Sequence, residues 1–185
     1  MITGKKIILV PFKKKHLNDP SYLAWLRDKT VTRFIGRPEL NKNITSKSLK
    51  RYYIKVSTSK NLKFFAVHEK KTKSFIGTAK IKMLEIAGIY TNVADIGLMI
   101  GNKTFWGKGL GTDALQALSK YAFHKLHARK LTGGVMSPNV GMIRAFLKSG
   151  FMIEGKLKKQ ILHEKKFVDH ILFGLLNKTR KKPLK

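Results

Sequence analysis

A chain of 185 residues, 43% of them hydrophobic and none of them cysteine, can form one domain with a sizeable core; disulfides, thiolate catalysis and Cys-ligated metal are excluded. Without a run of about 18 apolar residues a membrane-spanning helix is not expected, and the short apolar stretch Ile7 to Val10, interrupted by Pro11, does not read as a secretory leader; with no cysteine, the cytoplasm is the expected location. The formal charge of +29, from 32 Lys and 7 Arg against 10 acidic residues, attracts anions. The lysines are dispersed, however, and Arg, the bidentate reader of phosphates and bases, is scarce, so nucleic acid is a minor alternative as partner.

The first element in chain order is a strand over Lys6 to Phe12, ended near Pro11. Apolar residues Leu17, Tyr22, Leu23, Trp25 and Leu26 predict a helix over Leu17 to Asp28. Gly36-Arg37-Pro38 marks a turn, and Thr45 to Val56 a second, polar helix. Phe64 to Val67 and the alternating Phe75 to Leu84 predict an antiparallel hairpin. After a loop around Gly88 comes the mostly apolar strand Val93 to Gly101. A glycine loop follows, and then a helix over Thr112 to Leu126 with Ala114, Leu115, Leu118, Ala122 and Leu126 on one face. Lys130 to Val135 is a strand, and Ser137-Pro138-Asn139 starts a helix over Val140 to Ser149 that stops at Gly150. Phe151 to Leu162 and Lys166 to Leu176 are the last strands. This order gives one mixed α/β (α+β) sheet. Residues 1–177 are expected to form a single domain, with a loose basic tail over residues 178–185.

The segment Trp106-Gly107-Lys108-Gly109-Leu110-Gly111-Thr112 carries the chemistry. Glycines let successive amides converge without a Cβ in the way. The helix that starts there adds unpaired donors and a partial positive charge, so a phosphate or diphosphate fits. A tight connection with no ligand is the plain alternative.

Ile96 to Leu115 (IGLMIGNKTFWGKGLGTDAL), the SPN turn with its helix and KSGF (Lys148 to Phe151), and Asp169-His170 before an apolar run together resemble the GNAT N-acetyltransferases. Trp-Gly-Lys-Gly before the helix, and Gly-Phe followed by Glu154-Gly155, are similar to the RimJ/RimL-like branch. The resemblance covers Lys6 to Asn177. It implies a mostly antiparallel sheet with a V-shaped splay between its central strands, flanked by helices. It also implies acetyl-CoA as acyl donor. The pantetheine arm would pair with the backbone of Leu98, Met99 and Ile100, and the diphosphate would rest on the amides of Trp106 through Thr112. Lys108 adds charge from the rim, and Asn139, Phe146 and Lys148 supply further contacts. Asn139 is equally a helix N-cap.

The implied reaction is attack of a neutral amine on the thioester. Asp95 is the first candidate base, a structural carboxylate being the alternative; Glu85, His163 and His170 are weaker candidates. A backbone N–H near Met99 would polarise the carbonyl. Met142 and Phe146 stand where relatives often carry Ser and Tyr, so no general acid is assigned. Trp25, Phe34 and Tyr53 wall an acceptor pocket or belong to the core. The acceptor amine is a protein N-terminus, ribosomal among the options, or the amine of a small metabolite or an anionic nucleotide-linked amino sugar. A non-catalytic acyl-CoA binder is the alternative. Final hairpins in this family often mediate homodimers.

Overall fold

The computed structural model describes residues 1–35, 44–86 and 89–178. The Gly36-Arg37-Pro38 turn, the loop around Gly88 and all of the basic tail after Lys178 lie outside the described residues. The strands are β1 (Ile2–Thr3), β2 (Ile7–Pro11), β3 (Leu62–Glu69), β4 (Phe75–Ile86), β5 (Ile89–Ile100), β6 (Lys130–Met136), β7 (Met152–His163) and β8 (Lys166–Leu176). They form one eight-stranded sheet in the order β1-β2-β3-β4-β5-β6-β8-β7. All neighbours are antiparallel except β5 and β6.

The helices are α1 (Lys14–Leu17), α2 (Pro20–Arg27), α3 (Lys29–Thr32), α4 (Ser46–Ser57), α5 (Leu110–Lys125) and α6 (Val140–Lys148). The single helix expected over Leu17 to Asp28 is instead divided. Pro20 has no N–H to continue a helix and sits at the first turn of α2, where the Asp19 carboxylate caps Ser21 N–H at 2.9 Å. Asp28 ends α2 and caps Thr30 N–H at 2.8 Å, starting α3. Two short acidic caps thus outweigh the apolar periodicity. The two-residue strand β1 escaped the sequence reading.

Two cores cover the sheet. On one face α5 buries Ala114, Leu115, Leu118 and Ala122 against Ile7, Val67, Ile81 and Leu131, and Phe146 of α6 joins them. On the other face α2 to α4 enclose Phe12, Tyr22, Trp25 and Leu49. Trp25 lies flat on Gly101, where a Cβ would collide with the indole, so it is a core residue. Tyr53 packs on the same cluster.

The functional feature is a failure of pairing. β5 and β6 pair only at Val93↔Lys130, Ala94↔Leu131 and Asp95↔Thr132. Beyond Asp95, β5 stays on β4 as far as Ile100↔Gly77, and β6 stays on β8 as far as Met136↔His170. The central strands therefore open into the expected V.

Candidate active site

The gap of the V contains a cleft of about 280 Å³. Leu98 and Met99 line it from β5, Gly134 to Met136 from β6, and Asn139, Met142 and Phe146 from α6 and its cap. Tyr22 and Leu26 of α2, Tyr52 of α4 and Phe34 in the turn after α3 line it from the side of the second core. Both strands leave main-chain groups without a strand partner here, and buried amides need partners.

Register decides which amides face the gap. Gly101 N–H donates to Ile76 O at 2.8 Å, and strand residues alternate the side to which their N–H and C=O point. Met99 therefore directs its main chain to β4, and Ile96, Leu98 and Ile100 direct theirs to the gap. This corrects the expectation that a Met99 amide serves the site; Met99 contributes a side chain. The Ile100 carbonyl is also taken, because the Trp106 indole Nε1–H donates to it at 2.7 Å. Ile96 N–H still closes the last β5–β6 bridge, Asp95↔Thr132, so the Leu98 N–H and C=O and the Ile100 N–H are the groups that face the open part of the gap.

At the wide end of β5 the chain makes a short 3-10 turn (Lys103–Phe105) and enters the glycine loop. Gly107 and Gly109 have φ of +73° and +79°, values that cost an L side chain about 1–2 kcal/mol. The amides of Leu110, Gly111 and Thr112 lie in the first turn of α5 and have no carbonyl one turn back. Trp106 departs from expectation: its own N–H donates to Lys103 O at 3.0 Å, so the available amides begin after it. Leu110 turns its side chain into the core, leaving only its main chain for a ligand. The Lys108 ammonium stands over the Phe105 ring at 5.6 Å.

Asp95 sits at the vertex of the V. Its Oδ2 lies 3.4 Å from Lys80 Nζ. The lysine reaches it by crossing Gly97, where a Cβ would run into the Lys80 chain. Burial raises the Asp95 carboxyl above the ordinary carboxylate range, with the Lys80 and Lys82 charges opposing. A carboxylate with raised pKa in a cleft is suited to accept a proton.

Asn139 is the N-cap of α6, its Oδ1 accepting Met142 N–H at 3.2 Å, and it also lines the cleft. Phe146 is almost fully buried and stacks on Phe173 with ring centroids 4.9 Å apart; its edge forms part of the cleft wall. Lys148 does not reach the cleft: it ends α6 with an exposed side chain, and its carbonyl accepts from Gln116 at 3.3 Å. Glu85 is exposed on β4 opposite Tyr90. His163 is buried at the end of β7, 5.1 Å from the Phe34 ring. His170 fills the space where a Gly134 Cβ would lie, next to the free edge of β6. None of these three lines the cleft. Lys80, Tyr22 and Tyr52 do, and the sequence reading missed them. The Gly97–Lys80 pairing would have been the signal for Lys80, but only once the register was known.

A family model for an acetyltransferase (GNAT) domain matches residues 6–152. An N-acetyltransferase 9-like protein of Nematostella vectensis is 30% identical over 162 residues, 81% of this chain and 76% of that protein. A probable N-acetyltransferase, YjcK, of Bacillus subtilis is 31% identical over 113 residues, and the match spans 61% of each chain. Among solved structures, a GNAT-family acetyltransferase from Bacillus anthracis superposes with a TM-score of 0.77 at 20% identity, covering 95% of this chain and 97% of that one. Spermidine N-acetyltransferase from Vibrio cholerae, in complex with CoA and spermine, gives 0.79 at 17% identity, covering 94% and 96%. These two likenesses concern the fold. The chain belongs to the GNAT acetyltransferase family: it is an N-acetyltransferase that uses acetyl-CoA.

Proposed function

We propose that this enzyme, a member of the RimJ/RimL-like branch, acetylates a primary amine on a neutral or anionic carrier, a polypeptide N-terminus or an amino-sugar nucleotide. The observation that supports the reading is the V-shaped cleft with Asp95 at its vertex. The acyl arm pairs with the splay-facing main chain of Leu98 and Ile100, the diphosphate takes the amides at the start of α5, and Asn139 flanks the arm.

In the reaction the amine nitrogen attacks the thioester carbon, a C–N bond forms and the C–S bond breaks. Asp95 accepts the proton released by the amine. The N–H of Leu98 or Ile100 stabilises the developing oxyanion. Neither Met142 nor Phe146 can protonate the leaving sulfur. A thiol near pKa 8.5 departs as thiolate and takes its proton from solvent.

The acceptor class follows from charge. Spermine accompanies the Vibrio enzyme, but a polyamine needs several free carboxylates. Among the described residues that line this cleft Asp95 is the only carboxylate, and Lys80 already faces it. Tyr22, Phe34, Tyr52 and Phe64 give the rest an aromatic wall, suited to an uncharged first side chain or a sugar.

Release of free CoA thiol from acetyl-CoA, followed with N-terminal peptides, an amino-sugar nucleotide and spermidine, tests this. Turnover is expected with a peptide or the nucleotide and not with spermidine. A higher kcat/KM for spermidine than for every other acceptor would overturn the assignment.

A further inference from the structure

We propose that Lys6, distant in sequence from the glycine loop, is a binding residue for the diphosphate of the acyl donor. The proposal rests on the reading of the loop as the diphosphate seat.

Three observations lead there. First, the backbone at Lys6 is anchored to the start of α5. The buried Asp113 carboxylate accepts the N–H groups of Lys5, Lys6 and Ile7 at 2.9, 2.6 and 3.0 Å. This fixes the turn between β1 and β2 one helical turn from Gly109. Second, the Lys6 side chain extends over the loop. Its Nζ donates to Lys108 O at 2.9 Å and, among the described residues other than Gly109's own chain neighbours, is the atom that comes nearest the position a Gly109 Cβ would take, at 3.6 Å. An ammonium has three donors, and this bond uses one. Third, the loop's own lysine points elsewhere, its ammonium resting on Phe105.

The positive group held in front of Gly109 therefore comes from the sheet edge. It stands beside Gly109, the N-cap of α5, whose first-turn amides have no carbonyl one turn back, and the Asp113 oxygens are turned to the backbone amides of Lys5, Lys6 and Ile7. A doubly charged diphosphate placed there meets an ammonium already positioned, so little side-chain entropy remains to be lost on binding.

A competing role for Lys6 is a purely structural latch on the Lys108 carbonyl, and salt separates the two. Calorimetry would compare wild type, Lys6→Gln, Lys6→Ala and Lys108→Ala, with CoA and with dephospho-CoA. It would be run in about 0.01 M and about 1 M salt, where the Debye length falls from ~30 Å to ~3 Å. At low salt both Lys6 variants are expected to bind both ligands roughly tenfold more weakly, and Lys108→Ala to lose less. At high salt the deficit should shrink to about twofold or less. Wild-type affinity in both Lys6 variants would overturn the proposal. So would a deficit unchanged by salt, a loss seen with CoA but not dephospho-CoA, or a larger loss in Lys108→Ala. A wild-type chain that binds neither ligand would instead remove the donor-site reading beneath it.

Discussion

Lys80 reaches Asp95 by lying across Gly97, which places an ammonium 3.4 Å from the carboxylate at the vertex of the sheet's opening. Gly97 is the condition for the pair, and the pair opposes the rise that burial imposes on the candidate base. Asp95→Asn should lower kcat by about 10²-fold or more, in line with general-base catalysis, while the affinity for CoA stays near wild type. Unchanged kcat would remove Asp95 from the chemistry.

The pH profile carries a sign. Burial raises the Asp95 carboxyl and Lys80 opposes that rise, so kcat/KM should fall as pH drops through a pKa above the ordinary carboxylate value. Lys80→Met withdraws the opposing charge and should move this limb to higher pH. A shift to lower pH would contradict the pairing. Stability follows the same linkage. A raised pKa means the native state favours the protonated form, so this contribution is present below the unfolded pKa and is lost as pH rises through the native one. Wild type should therefore lose stability relative to Asp95→Asn over that window, as read from urea midpoints.

Gly109→Val places a β-branched residue at φ +79°. The strain costs about 1–2 kcal/mol, a few degrees in melting temperature at this chain length. CoA affinity should fall far more, by about 30-fold or greater, because the first-turn amides lose their alignment. A variant that melts lower but binds CoA normally would count against the loop assignment.

Asp113→Ala leaves three amides near the sheet edge without their acceptor. A loss of about 3 kcal/mol is expected from urea unfolding. Asp113→Asn, which keeps one acceptor oxygen, should lose less.

A pair of histidines gives the fold an acid-sensitive point. Lys13 N–H donates to His16 Nδ1 at 2.9 Å, His16 Nε2 and His68 Nε2 are 3.3 Å apart, and His68 Nδ1 is 2.9 Å from Lys73 O. One arrangement satisfies all three contacts: both rings neutral, His16 protonated on Nε2 and His68 on Nδ1. Burial, and after it the neighbouring His68, lower the His16 pKa from 6.5 to about 4. The stability is thus fully present above pH 6.5 and is lost as pH falls toward 4, by up to about 3 kcal/mol. The urea midpoint should drop across that window, and His16→Leu should flatten the drop.

Much of this was legible from local pattern. The glycine loop, α5, α6 and the order of the long strands follow from turn residues and apolar period, and the resemblance supplied the V between β5 and β6. Other features depend on register, which a sequence does not print. The phase of the β4–β5 ladder decides that Leu98 and Ile100, not Met99, face the gap. Lys80 meets Asp95 through strand pairing, and Lys6 meets the loop across 102 positions of chain. The helix break at Pro20 was readable from Asp19-Pro20 but was masked by the apolar spacing around it. The Trp106 indole, which closes the Ile100 carbonyl, lies in the very motif that pointed to the fold.

Amide hydrogen exchange with and without CoA, resolved to single residues, tests the central claim most directly. The account predicts slowed exchange at Leu98 and Ile100 and at Leu110 to Thr112, with Met99 unaffected because its amide is already paired with β4. Exchange unchanged at all five of those positions, or protection confined to the β7–β8 face, would contradict the placement of the acyl donor between the two central strands.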